Sequence, residues 1–280
     1  MAPTLYRGSR PETAHQDRTR DWAEIQERML VPLYDTVHDR LDVGPGTRLL
    51  ALNCGSGLAL VLAASRGAAV TGYDTDPGRL RLAAERLAEP RRPGTRPRGA
   101  RTAYAAASLR TGAPRPAALR DGGFGVVTAL DPAAPADELR PALAAVAATS
   151  RPGSAVVLAG WGPPERCSTA RVLRVADRLA EPRGPASPAP RLSGRDDLED
   201  LARGAGLRPD GSGRVSCPFA YQSRRSAVRG LLSTGLFDPA VAATDQQQVE
   251  KEIAEALHPY RRPDGGVRMD NVFRYLIARV

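Results

Sequence analysis

Aromatic residues make up only 5% of this 280-residue chain, and Lys251 is its sole lysine. The formal charge of +9 therefore comes almost wholly from arginine, scattered among alanine, proline and glycine. A nucleic-acid surface gathers basic residues on one face and often interleaves them with aromatics. This scatter points to a composition bias instead, and no nucleic-acid partner is expected. Cysteine is equally sparse. Cys54, Cys167 and Cys217 lie far apart and give neither a disulfide framework nor a metal-ligand spacing. No metal is expected, and a reducing cytoplasm is the expected compartment. No window approaches the roughly 18 uninterrupted apolar residues of a membrane span, and the polar N-terminus lacks an apolar core of signal length. The expectation is a soluble, intracellular protein without membrane association.

What is present suffices for a core. Apolar residues are 42% of the chain, enough for one large domain with an insert or for two modest domains. Residues 1–20 read as a flexible polar leader. Beyond them Trp22, Ile25, Met29, Leu30, Leu33, Val37 and Leu41 recur at helical spacing, predicting an amphipathic helix bent at Pro32. Between residues 45 and 160, apolar strands alternate with helical stretches. "GTRLLAL", "AAVTGYDTD", "TAYAAAS", "FGVVTAL" and "SAVVLAGW" are the expected strands, and "GLALVLAASRG", "PGRLRLAAERLAEP" and residues 141–148 the helices. That alternation predicts βαβ units and a doubly wound, mostly parallel, Rossmann-like α/β sheet. After Trp161 come a helix at "STARVLRVADRLAEP", a proline-rich loop, a capped helix at "RDDLEDLARGAGL", a strand at "GRVSCPFAY", two more helices and a closing strand at "VFRYLIARV". The expected organisation is a single domain over 21–280: a helical cover (21–44), the core sheet (45–160), and late strands carrying a helical insert (161–280).

The stretch "LLALNCGSGLAL" is a strand entering a glycine turn. Gly55 and Gly57 let a ligand approach backbone N–H groups at a helix N-terminus. About twenty residues on, Asp74 closes the next strand, where a carboxylate can accept both ribose hydroxyls of an adenosine. Glycine turns also serve geometry alone.

"GTRLLALNCGSGLALVLAASRGAAVTGYDTDPGRLRLAAERL" resembles the opening of class I S-adenosylmethionine-dependent methyltransferases of the bacterial small-molecule type. "DGGFGVVTAL", "LAAVAATSRPGSAVVLAGWGPPERC" and the C-terminal "ALHPYRRPDGGVRMDNVFRYLIARV" are similar to later parts of that family. The resemblance implies a cofactor site at Asn53, Gly55, Gly57 and Asp74, but departs from the family pattern at several positions. Ala51 replaces the acid that meets the methionine amino group. Asn53 replaces the first glycine, Ala106 stands where an adenine-binding Asp is usual, and Phe124-Gly125 replaces Phe-Asp. Each lost charged partner removes about 1.5–3 kcal/mol. S-adenosylmethionine binding is therefore expected to be weak or lost.

Further candidates for chemistry are His38 on the cover, Asp131 after the fourth strand, Trp161 and Glu165 (with Arg166) at the fifth strand's end, and His258 at a helix end. Each also has a structural reading, as core residue, helix cap or dipole partner. His15 falls in the leader, and Cys54 has no base to activate it. The combined departures imply an enzyme of small-molecule metabolism repurposed from methylation to a cyclisation or isomerisation. A working methyltransferase and a non-catalytic binding protein are the alternatives. A small molecule is the expected partner, and nothing in the sequence sets the oligomeric state.

Overall fold

A computed structural model describes residues 11–88, 107–180 and 193–280. The first ten residues, the loop expected at 91–101, residues 102–106 of the expected strand "TAYAAAS" with Ala106 among them, and residues 183–192 of the loop expected at 183–194 lie outside the described residues.

Five strands lie parallel: β1 (Arg48–Leu52), β2 (Ala69–Asp74), β3 (Ala107–Thr111), β4 (Val126–Ala129) and β5 (Ala155–Trp161). β9 (Val272–Arg279) runs antiparallel between β5 and β6 (Arg208–Ser216), giving the order β3-β2-β1-β4-β5-β9-β6. β4 and β5 are buried along their whole length, as interior strands covered on both faces must be. Alternate residues of β5 feed different cores. Val157, Ala159 and Trp161 face the cover and insert, while Val156 and Leu158 face α6 (Ala136–Thr149) and α8 (Asp197–Gly204). Helices α3 (Leu58–Ser65) and α4 (Pro77–Ala88) follow β1 and β2, and α7 (Thr169–Ala180) follows β5.

Between β6 and β9 sits the expected insert: β7 (Phe219–Tyr221), α9 (Arg224–Leu232), α10 (Asp238–Ala243), α11 (Gln246–Ala256) and β8 (Val267–Met269). β7 and β8 pair as a separate two-stranded sheet. The expected single strand at "GRVSCPFAY" is thus two strands in two sheets. Pro218 has no N–H to continue a ladder, and the Cys217 N–H turns to the Asn271 carbonyl at 2.9 Å.

The N-terminal region differs from expectation twice. Residues 11–20 are helical, forming α1 (Pro11–Asp21). Arg18 bonds Asp238 on α10 at 2.8 Å, and Thr19 is buried, so long-range pairing orders a segment that is polar in sequence. The break after α1 is also not at Pro32. Trp22–Gln26 makes a π-type turn and Glu27–Leu30 a 3-10 turn before α2 (Val31–Arg40). Pro32 sits in the first turn of α2, where its missing N–H has no intrahelical partner to lose. Further along, α6 starts at Ala136 rather than near Pro141, and α5 (Pro116–Gly122) forms between β3 and β4, where no element is expected from the sequence. No helix among the described residues is long and apolar enough to cross a membrane.

The few aromatics are concentrated where the insert meets the sheet. The rings of Trp161 and Phe273 lie 4.6 Å apart, and Phe219 stands 6.0 Å from each. Phe219 and Phe273 are fully buried. Phe273→Ala is expected to lower the unfolding free energy by about 3–5 kcal/mol, read as a reduced urea midpoint. A fall under about 1 kcal/mol would show that the insert does not dock through this cluster.

Candidate functional site

β1 ends where the backbone turns over. Asn53 takes φ +49°, Gly55 +60° and Gly57 +79°, and the Cys54 N–H is held by the Tyr73 carbonyl at 2.9 Å. The two glycines have different work. A Cβ on Gly57 would stand 2.7 Å from the Ala83 Cβ, so this glycine admits α4. A Cβ on Gly55 would stand 3.0 Å from Glu27 Oε1 and 3.2 Å from Trp22 Nε1, so this one admits the cover.

Glu27 is 2% exposed. Its carboxylate accepts from the Ser56 hydroxyl, from Arg86 Nη1 at 2.5 Å, and from the Leu58 N–H at the N-terminus of α3 at 3.4 Å. Arg86 also donates to the Ser56 carbonyl at 3.0 Å and to the Ala23 carbonyl at 2.7 Å, tying α4 to the cover. An anion therefore occupies the dipole-favoured end of α3, and it belongs to the chain itself. Trp22 lies beside it with Nε1 buried and unpartnered among the described residues. The Arg79 guanidinium stacks over the Trp22 ring at 4.8 Å.

Asp74 is buried and already engaged. Oδ2 accepts from the Gly55 N–H at 2.8 Å and Oδ1 from the Asp76 N–H at 2.9 Å. Across the turn, Asp131 Oδ1 accepts from the Ala133 N–H at 2.9 Å, and Oδ2 lies 3.7 Å from Arg79 Nη1. Under the cover lies a cavity whose wall includes Trp22, Glu27, Tyr34, Asn53, Cys54 and Asp131 together with the apolar Ala51, Leu52, Ala59 and Leu130. Its volume is only about 20 Å³, room for roughly one water molecule. Beside it, a cleft of about 500 Å³ opens between Asp74, Asp76, Arg79, Glu138 and the Leu236 turn of the insert.

The structure brings Asn53, Gly55 and Asp131 to the cavity and places Asp74 at its border with the cleft. Gly57 packs on α4. His38 is buried on α2 away from the cavity lining, where desolvation, with Arg66 adding to it, lowers its pKa to about 4 and leaves it neutral. Trp161 belongs to the aromatic core, while Glu165, Arg166 and His258 are exposed on other surfaces. His15 pairs with Asp76 at 3.4 Å. Among the described residues no group of three or more His, Cys, Asp or Glu side chains could hold a metal. Glu27, Trp22, Tyr34, Arg79 and Arg86 were not read from the sequence. One signal was available: Glu27 stands within the buried stripe of Ala23, Leu30, Tyr34 and Val37, where a carboxylate needs a partner.

Burial pushes the carboxyl pKa values of Glu27, Asp74 and Asp131 above the ordinary range, against the lowering effect of Arg86, of backbone donors and of Arg79 respectively. The Tyr34 hydroxyl is raised well above its usual value by burial, then by Glu27 and Asp131. A carboxyl with a raised folded-state pKa binds its proton more tightly folded than unfolded. Its ionisation therefore subtracts stability as pH rises from the ordinary carboxylate value through the folded one. Asp131→Asn removes one such group. Its Tm relative to wild type is expected to be higher at neutral pH than near pH 4, where about half or more of the wild-type carboxyl is protonated in both states. A pH-independent difference in thermal melts would refute the raised value.

No model of a known family matches the sequence, and no curated protein matches it. Solved structures do. The YcgJ protein of Bacillus subtilis superposes with a TM-score of 0.55 at 15% identity, covering 88% of this chain and 97% of that one. A candidate methyltransferase from Bacillus halodurans C-125 gives 0.52 at 12% identity, over 87% and 97%. The [4+2]-cyclase SpnF gives 0.51 at 19% identity, over 88% and 79%. With five parallel strands, an antiparallel β9 next to the edge and a glycine turn after β1, the chain has the class I methyltransferase fold.

Proposed function

We propose that this protein is an enzyme of small-molecule metabolism that uses the methyltransferase fold without methyl transfer, catalysing an isomerisation or cyclisation. One observation carries the reading: Glu27 and Trp22 of the chain's own cover fill the face of Gly55 where the cofactor's amino-acid end would lie. The residues present do not fit S-adenosylmethionine in this arrangement. The cavity has room for about one water, and Ala51 in its wall offers no charge to an ammonium group. A likeness in fold to the SpnF cyclase agrees with the reading but does not carry it.

The groups around the cavity suit proton handling. Asp131, with its raised pKa, can take a proton from one atom of a substrate and return it to another, leaving no net change. Tyr34 keeps its hydroxyl proton at neutral pH and can donate a hydrogen bond to developing negative charge. The cleft of about 500 Å³ falls within the usual range for small-molecule sites, and Arg79 in its wall lies 3.7 Å from Asp131 in the wall of the cavity.

Titration calorimetry with S-adenosylmethionine and S-adenosylhomocysteine tests the proposal. No heat of binding is expected for either ligand at concentrations up to about 1 mM. Micromolar binding that disappears in Asp74→Ala would return the protein to the working methyltransferases, with Asp74 released from the turn to hold the ribose.

A further inference from the structure

Arginines that are scattered in sequence converge at one place after β5. The connection Pro164–Ser168, the first two turns of α7 and the 3-10 turn His258–Tyr260 border a groove of about 750 Å³, which shares no wall residue with the cavity or the cleft. Arg166, Arg171 and Arg174 line it and are exposed. None of the three side chains has an ion-pair or hydrogen-bond partner among the described residues, whereas Arg178, one turn further along α7, pairs with Glu252 at 3.0 Å. Two carboxylates also reach the groove. Asp270 is paired with Arg268 at 3.3 Å, which leaves Glu165 alone against three cations. The floor is fixed by bonds of its own: the Ser168 N–H to the Asp270 carbonyl at 2.8 Å, the Thr169 N–H to Oδ1 of the buried Asn271 at 3.1 Å, and the Tyr260 hydroxyl to the Ser168 carbonyl at 3.2 Å. The Ala170 and Arg171 N–H groups have acceptors as well, so guanidiniums, not the end of α7, are the donors the groove offers. This arrangement opposes its own stability. Arg171 and Arg174 stand three apart on the solvent side of α7, where like charges repel, and Arg171 lies in a first turn that holds no acid, the end of a helix least suited to a cation.

We propose that this groove binds the phosphate or pyrophosphate group of a small molecule, held by Arg166, Arg171 and Arg174. A carboxylate carries one charge and is satisfied by one guanidinium fork, so three unpaired forks suit a multiply charged group with several acceptor oxygens. Three arginines against Glu165 leave an excess of two positive charges, which matches a phosphate monoester near neutral pH. The volume falls within the range of small-molecule sites. A nucleic-acid strand would want aromatic platforms for its bases, and the groove's single ring is Tyr260, half-buried with its hydroxyl spent on Ser168. The site is independent of the cavity under the cover and stands whichever reaction that cavity serves.

Titration calorimetry of the full chain with sodium pyrophosphate at low salt tests it. Binding with a Kd below about 1 mM is expected, and weaker binding of inorganic phosphate. Arg171→Gln and Arg174→Gln should each weaken pyrophosphate by about tenfold or more, and Arg171→Lys by less, because lysine keeps the charge and loses the fork. Arg178→Gln, outside the groove on the same helix, should bind as wild type does. In thermal melts without ligand, Arg171→Gln should hold or raise Tm, since it removes a repulsion, and added pyrophosphate should raise Tm only in the proteins that bind it. Absence of binding by the wild-type protein at that level overturns the site. An equal loss in Arg178→Gln does so too, by reducing the attraction to net charge, as does a fall in the ligand-free Tm of both glutamine variants, which would make the arginines structural. A single-stranded oligonucleotide that displaces pyrophosphate at lower concentration than a phosphate monoester does would replace the small molecule with a nucleic acid and overturn the assignment.

Discussion

A carboxylate that is 2% exposed has to find donors within the protein, and Glu27 finds them on two separate helices. Its partners lie 29, 31 and 59 positions away in sequence, at Ser56, Leu58 and Arg86. Meeting all three fixes the cover against the first turn of α3 and draws α4 in beside it. That geometry sets Glu27 Oε1 and Trp22 Nε1 3.0 and 3.2 Å from where a Cβ on residue 55 would stand, so a side chain there would have to push them back. The ion pair specifies position more than it adds stability, which is the use best attested for buried charge.

Other parts of the molecule supply the stability. The two faces of β5 and β9 feed two apolar cores, and the rings of Trp161, Phe219 and Phe273 gather on the face toward the insert. The insert is thereby held by area and shape, and it carries the cover with it through Tyr221 and Arg229. A composition poor in aromatics makes this concentration decisive, since the same few rings spread evenly would anchor nothing.

The sheet was legible in the sequence because its strands are apolar runs bounded by turn residues, and β1, β2, β4, β5 and β9 needed no tertiary information. The insert's place before the last strand was legible for the same reason. What escaped was set by distant contacts. α1 is polar and is ordered by Arg18 and Asp21 reaching α10 and α9. The "GRVSCPFAY" stretch has strand propensity throughout, yet the separate pairing of β7 with β8 divides it. At the site, the glycine turn and its spacing singled out Gly55 and Asp74, the family resemblance Asn53, and a place after the fourth strand Asp131. None of these signals had access to Glu27, Trp22, Tyr34 or Arg86, whose part depends on the cover folding down over the turn. The glycines illustrate the limit: the motif identifies both as permissive backbone, but only the fold shows that one admits a helix and the other a carboxylate and an indole.

Net charge misleads in the same way. The chain carries +9, yet the site gathers the buried carboxyls of Glu27 and Asp74 and the partly buried one of Asp131 around two arginines, Arg79 and Arg86. Arg86 is committed to Glu27, and Arg79 lies 3.7–3.8 Å from both Asp131 and Asp76. Asp74 has only backbone donors. Cations are therefore locally short in a protein that is globally rich in them, and desolvation outweighs the available pairing at each of the three acids. A site with too few cations for its carboxyls holds protons more tightly than water does. The two arginines, rather than the net charge of the chain, therefore set the electrostatics at the turn.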